Sequence, residues 1–245
     1  MRYNFSLNYS PNFSTPKRSL RQIKFIIIHY TGMKSENKAI NRLTDVNSKV
    51  SSHFFVKKNG EVILMVPLKY TAWHAGKSKW KKFNLLNKYS VGIEIQNPGH
   101  TFKYPAFNKK QILSLLKLCK FLKKKLKINK KNILGHSDVS YARKKDPGEK
   151  FPWELFAKKN LSLWHNISQT KLASFRNKKV SKIEKNNFYS NLKKIGYFVD
   201  SNSKNKKLLT LAFQRKYRTK LLNGIIDKEC LIISKNLSKI LNFSS

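Results

Sequence analysis

The sequence predicts an α/β fold, a central β-sheet flanked by helices, followed by a small helical region at the C-terminus. Three observations carry this. Two almost continuous apolar runs, IKFIII from Ile23 to Ile28 and VGIEI from Val91 to Ile95, have the pattern of strands buried on both faces. Between Lys110 and Lys127, the residues Ile112, Leu115, Leu116, Cys119, Leu122 and Leu126 recur at helical spacing, with lysines opposite. That is the stripe of a helix with one buried side. Beyond about Asn160 the composition shifts to Lys, Asn and Ser, which separates a second, helical part.

The elements follow in chain order. His29 stands at the end of the first run, followed by Tyr30, Thr31 and Gly32; ligands of open α/β sheets gather at the carboxyl ends of strands. Residues 37–47 have the pattern of a short helix. HFFVKK and EVILMV flank Asn59-Gly60, a signal for a type I′ hairpin. Glu94 interrupts the second apolar run, and a carboxylate there is costly unless paired or functional. NILGH, from Asn132 to His136, reads as a short strand entering the loop GHSDVSYARKKDPG, and FPWELF adds aromatic closure. The chain divides into a domain at residues 1–165, a linker at 166–185 and a three-helix domain at 186–245. Asp227 is the expected N-cap of the last helix.

Lys and Arg number 52 against 12 Asp and Glu, a net charge of +40. With 40% hydrophobic residues the chain can still build a core, which excludes a disordered polyelectrolyte. The lysines spread along the whole sequence rather than gathering with aromatics in one stripe, so compositional bias explains the charge better than a dedicated nucleic-acid surface. No specific nucleic-acid partner is expected; a charge-driven binder is the rival reading, and it predicts tight, salt-sensitive DNA association. Cys119 and Cys230 lie in apolar, helix-like stretches, where free buried thiols are expected. No apolar run is long enough to span a bilayer, and the N-terminus shows no signal-like segment or lipobox. As written, the chain is expected in the cytoplasm as a monomer, or in the periplasm or envelope if its true start or export route differs.

The loop that begins at Gly135 holds a scarce carboxylate, Asp146, behind Arg143, Lys144 and Lys145. Together, His29, His136 and Asp146 have the donor types of a catalytic zinc site: two imidazoles, one carboxylate and a fourth position for water. On spacing alone, two distant histidines and an aspartate occur by chance in most proteins. The surrounding words carry more. IIIHYTG (Ile26 to Gly32), VSSHFFVKKNGEV (Val50 to Val62), TAWHAGKSKW (Thr71 to Trp80), SVGIEIQNPGH (Ser90 to His100) and GHSDVSYARKKDPGEKFPW (Gly135 to Trp153) follow in order over nearly all of the first 155 residues. In these words the chain resembles the zinc-dependent N-acetylmuramoyl-L-alanine amidases of the amidase 2 type, which share the peptidoglycan-recognition-protein fold.

The resemblance implies a mixed central β-sheet flanked by helices and one Zn2+ per chain held by His29, His136 and Asp146. It makes Glu94 the catalytic glutamate and Lys144 the basic residue that helps hold the oxyanion. The implied reaction is hydrolysis of the amide between the lactyl group of N-acetylmuramic acid and L-alanine. Its substrate would be peptidoglycan or soluble muropeptides, anhydro-muropeptides included. Trp73, His74, Asn97 and Arg143 are candidate substrate contacts. For His74 the alternative is bracing a loop, as for His53, and for Trp73 it is packing in the core. Asp138 is either an outer partner of a ligand or a loop-fixing residue. In the stretch VSYA the sequence departs from the family's small residues or proline, and Tyr141 would narrow the groove. The tail words Gly196-Tyr197, AFQRKYR and GIID resemble a three-helix peptidoglycan-binding module. The rival is a non-catalytic recognition module, whose members typically have lost a zinc ligand; here all three are present.

Overall fold

The structure is a computed structural model and describes residues 5–242. Six strands form the main sheet: β1 (Ser6–Leu7), β2 (Phe25–Tyr30), β3 (Phe54–Val56), β4 (Val62–Leu64), β5 (Ser90–Ile95) and β6 (Ile133–Gly135). Their spatial order is β1-β4-β3-β5-β2-β6. Every neighbouring pair is parallel except the β3–β4 hairpin, so the sheet is mixed, as expected. The two apolar runs are the central strands β5 and β2. They pair in register, Ile28 with Ile93 and His29 with Glu94.

Alternation along a strand sends successive side chains to opposite faces. Ile26, Ile28, Val91, Ile93 and Ile95 pack on one side with the buried stripe of α2 (Lys109–Lys125). Phe25 and Ile27 belong to a second cluster on the other side, and His29 and Glu94 follow them there by parity. Helix α2 starts at a capping box: the Asn108 side chain accepts from the backbone of the first turn, and the Gln111 side chain from Asn108 N–H. Helix α1 (Glu36–Thr44), capped by Ser35, lays Ala39, Ile40 and Leu43 on Phe55, Ile63 and Met65.

The hairpin forms, but not with a type I′ turn. That turn needs positive φ at both central residues, and here only Gly60 has it, at 91°. Gly60 N–H donates to Lys57 O at 3.0 Å and Lys57 N–H to Glu61 O at 2.9 Å. The loop therefore has three residues, with the glycine in the left-handed position that ends it. Asn59 instead uses its Oδ1 to accept Glu61 N–H at 2.9 Å.

Short helices α3 (His136–Val139) and α4 (Trp153–Lys158) complete the first part. The stretch 166–185, read as a linker, contains α5 (Gln169–Phe175), which buries Leu172. Just after it, Arg176 grips the buried Glu229 with two bonds of 2.8 and 2.6 Å. Helices α6 (Lys182–Ile195), α7 (Ser203–Tyr217) and α8 (Lys228–Asn242) follow. Asp227 caps α8 by accepting Cys230 N–H at 2.9 Å. One apolar cluster joins Phe25, Ile27 and Leu134 of the sheet to Phe188, Phe213 and Ile233 of these helices. Both cysteines are buried and free. Among the described residues no helix is long and apolar enough to cross a membrane.

Candidate active site

Three strand ends and one loop build the site. β2 delivers His29, and β5 delivers Glu94 beside it in register. β6 runs directly into α3, whose first residue is His136. The loop beyond α3 returns so that Ser137 N–H donates to Asp146 O at 2.8 Å. The approach is close enough that a Cβ on Gly135 would lie 2.7 Å from Pro147 Cδ. These contacts place the Asp146 carboxylate beside His136.

The three side chains converge. His29 Nδ1 lies 2.9 Å from His136 Nδ1 and 3.1 Å from Asp146 Oδ2, and His136 Nδ1 lies 3.0 Å from the same oxygen. All three residues are buried. Burial alone would raise the Asp146 carboxyl, but the adjacent imidazoles outweigh it and hold the group well below the usual carboxylate range. Burial first, then the charge of His136, lowers His29 to about 4. His136 Nε2 sits 3.1 Å from Ala75 O, which only accepts, so Nε2 donates to it, and in the neutral ring Nδ1 then presents its lone pair. An ionised carboxylate and lone-pair nitrogens facing one point, with an outer partner on the imidazole, form a donor set suited to a divalent cation such as zinc. Among the described residues no other group of three His, Cys, Asp or Glu is arranged this way.

Glu94 faces the same space. Its Oε2 is buried without a hydrogen-bond partner. Burial first, then the Asp146 charge, pushes its pKa up to about 8, with Lys144 opposing. Lys144 and Trp73 stand with Glu94 and the three converging residues around a groove of about 660 Å³.

The family description N-acetylmuramoyl-L-alanine amidase matches residues 19–149, a span that takes in all four of these acidic and imidazole groups. The chain belongs to this amidase family. N-acetylmuramoyl-L-alanine amidase AmiD of Escherichia coli is 31% identical over 88% of this chain and 82% of its own length. The 1,6-anhydro-N-acetylmuramyl-L-alanine amidase AmpD of Haemophilus influenzae is 28% identical, over 60% of this chain and 87% of its own length. Among solved structures, the complex of E. coli AmiD with the substrate anhydro-N-acetylmuramic acid-L-Ala-D-γ-Glu-L-Lys superimposes with a TM-score of 0.79 at 29% identity. It covers 89% of this chain and 90% of that one. Pseudomonas aeruginosa AmpDh3 shares the fold, with a TM-score of 0.79 at 23% identity over 99% of this chain and 98% of its own.

The amidase places the other sequence candidates as follows. Trp73 is half-exposed on the groove wall, with Nε1 donating to Ser14 Oγ at 2.8 Å. His74 lies at the back of the groove, 3.0 Å from His29 Nε2 and 3.1 Å from Ser90 Oγ. Arg143 lines the groove, but its Nη2 is engaged by Ala75 O at 3.2 Å and Lys77 O at 2.8 Å. Asn97 is buried away from the groove lining, bonded to Pro105 O and Gly99 N–H. His53 is buried, and its Nδ1 accepts Gly92 N–H at 3.0 Å. Tyr141 does not narrow the groove; it packs into the apolar cluster shared with the C-terminal helices.

Asp138 fixes its own loop by accepting Gly135 N–H at 2.8 Å. It also accepts from two residues of the C-terminal helical region, Tyr197 OH and Lys216 Nζ, each at 2.7 Å. Sequence reading missed Tyr30 and His100, which form part of the groove wall. Tyr30 OH pairs with His100 Nδ1 at 2.9 Å, and His100 Nε2 with Glu149 at 3.0 Å. Adjacency to His29 was a usable signal for Tyr30. His100 returns to the site only through the turn at Gly99, whose φ is 69° and where a Cβ would strike the Tyr30 ring at 2.5 Å.

Proposed function

We propose that this amidase uses one zinc ion to cleave the amide between the lactyl carbonyl of N-acetylmuramic acid and L-alanine in muropeptides. Anhydro-muropeptides of the kind seen in the AmiD complex are its first candidate substrates. The convergence of His29, His136 and Asp146 beside the unpartnered Oε2 of Glu94 carries the reading. Bound to those three side chains, zinc would supply Lewis-acid polarisation of the carbonyl and a water acidified to a pKa of about 7. Glu94 accepts the proton of the attacking water and returns it to the leaving L-alanine nitrogen. A carboxylate whose proton affinity is raised by burial suits that exchange. Lys144 offers a positive charge where the carbonyl oxygen becomes negative. Arg42, Lys144 and Lys145 along the groove complement the carboxylates of a stem peptide. A pure recognition module has no need for the carboxylate of Glu94 in this position, which favours the enzyme over the binder.

The test is incubation of the purified protein with anhydro-muropeptides and, separately, with intact sacculi, followed by mass analysis. Free stem peptide should appear, vanish on chelation and return with added zinc. Uncleaved substrate in the presence of folded, zinc-loaded protein would rule the reading out.

A further inference from the structure

The segment Trp73–Gly76 touches both imidazoles of the His29–His136–Asp146 cluster from behind. Ala75 O accepts from His136 Nε2 at 3.1 Å, and His74 Nδ1 lies 3.0 Å from His29 Nε2. The segment is itself pinned, because Asn87 Oδ1 accepts both His74 N–H at 3.1 Å and Ala75 N–H at 2.7 Å. The His74 ring lies flat against β5: a Cβ on Gly92 would come within 2.3 Å of its Cγ. This ring has one place to be.

The protons along this line can be assigned from the far end. Ser90 Oγ donates to Leu86 O at 2.6 Å, because a carbonyl oxygen only accepts. Its hydrogen thus used, Ser90 Oγ accepts from His74 Nε2–H at 3.1 Å. A neutral imidazole with its proton on Nε2 has a lone pair on Nδ1, so His29 Nε2–H donates to His74 Nδ1. That leaves the lone pair of His29 on Nδ1, aimed at His136 and Asp146. We propose that His74 and Ser90 are positioning residues that set the ligating tautomer of His29 through a relay ending on the Leu86 carbonyl.

The relay excludes a specific competitor. If both imidazoles flipped tautomer, His29 Nδ1–H would donate to Asp146 Oδ2, 3.1 Å away, and close the metal site with a hydrogen bond. That flip would require Ser90 to turn its hydrogen toward His74 and give up Leu86 O. The inference rests on the zinc reading for its consequence but not for its first observable, the position of a proton in the metal-free protein.

The experiment therefore has two readouts. Ring-15N spectra of the metal-free protein report the His29 tautomer: wild type should carry the proton on Nε2, and Ser90→Ala should move a large share of the population to Nδ1. Zinc dissociation constants, from competition with a chromophoric chelator, should rise about ten- to a hundredfold in Ser90→Ala and His74→Leu. His74→Asn, whose Oδ1 stands where Nδ1 was, should recover most of the loss. A wild-type His29 proton on Nδ1 overturns the relay, and so does a folded Ser90→Ala that leaves either readout unmoved. If the wild-type tautomer is as assigned but zinc does not bind, the zinc reading fails and the proton assignment stands.

Discussion

Glu94 shows how much one side chain in a strand can concentrate. Its neighbours Ile93 and Ile95 point into the core under α2, while it turns an unpartnered Oε2 toward the groove. Burying such an oxygen without a partner costs about 1–3 kcal/mol, a cost that function explains. Glu94→Gln keeps the shape and removes the basic carboxylate. Turnover should fall by roughly 10²–10⁴, with zinc content unchanged by elemental analysis; normal turnover would remove Glu94 from the proton pathway. This residue was legible in the sequence because it breaks an apolar run. The pairing of Asp138 with Lys216 was not, since 78 positions separate them and no local pattern links a loop aspartate to one lysine among dozens.

At the scale of elements, strength of pattern decided legibility. The stripe on α2 repeats over several turns, and helix and stripe were both readable. Asn108 caps the start of that helix, with Oδ1 accepting Lys110 N–H at 2.8 Å. Asn108→Ala should lower stability by about 1 kcal/mol, read as a shifted denaturant midpoint with unchanged slope. Strand β1 has two residues and exists only because β4 offers an edge beside it, so no periodicity could announce it. The Asn59-Gly60 turn was found in place but mistyped, because the same dipeptide serves two-residue and three-residue loops. Helix α5 hid in a polar stretch because its inward contribution is Leu172.

For the whole molecule, the decisive feature is that the helices after α5 do not stand apart. They share an apolar cluster with the sheet, and Lys216, buried in α7, meets the Asp138 carboxylate at 2.7 Å. Lys216→Met would leave that buried carboxylate without its counter-charge, a loss on the order of 3–5 kcal/mol. Tyr197→Phe, which removes only one hydroxyl donor, should cost about 1 kcal/mol. Calorimetry of the wild type should show one cooperative transition; two resolved transitions would mean that the halves melt independently. Relatives such as AmpD of H. influenzae match only 60% of this chain, so this contact is one that a reader of the amidase motifs alone would not seek.

The order of synthesis gives that contact a further meaning. His136 and Asp146 leave the ribosome eighty and seventy residues before Lys216, so the nascent turn that presents them must wait for its counter-charge. A chain truncated before α7 would hold every side chain of the candidate site and the Tyr197 hydroxyl, yet lack the Lys216 ammonium that completes the seating of the turn.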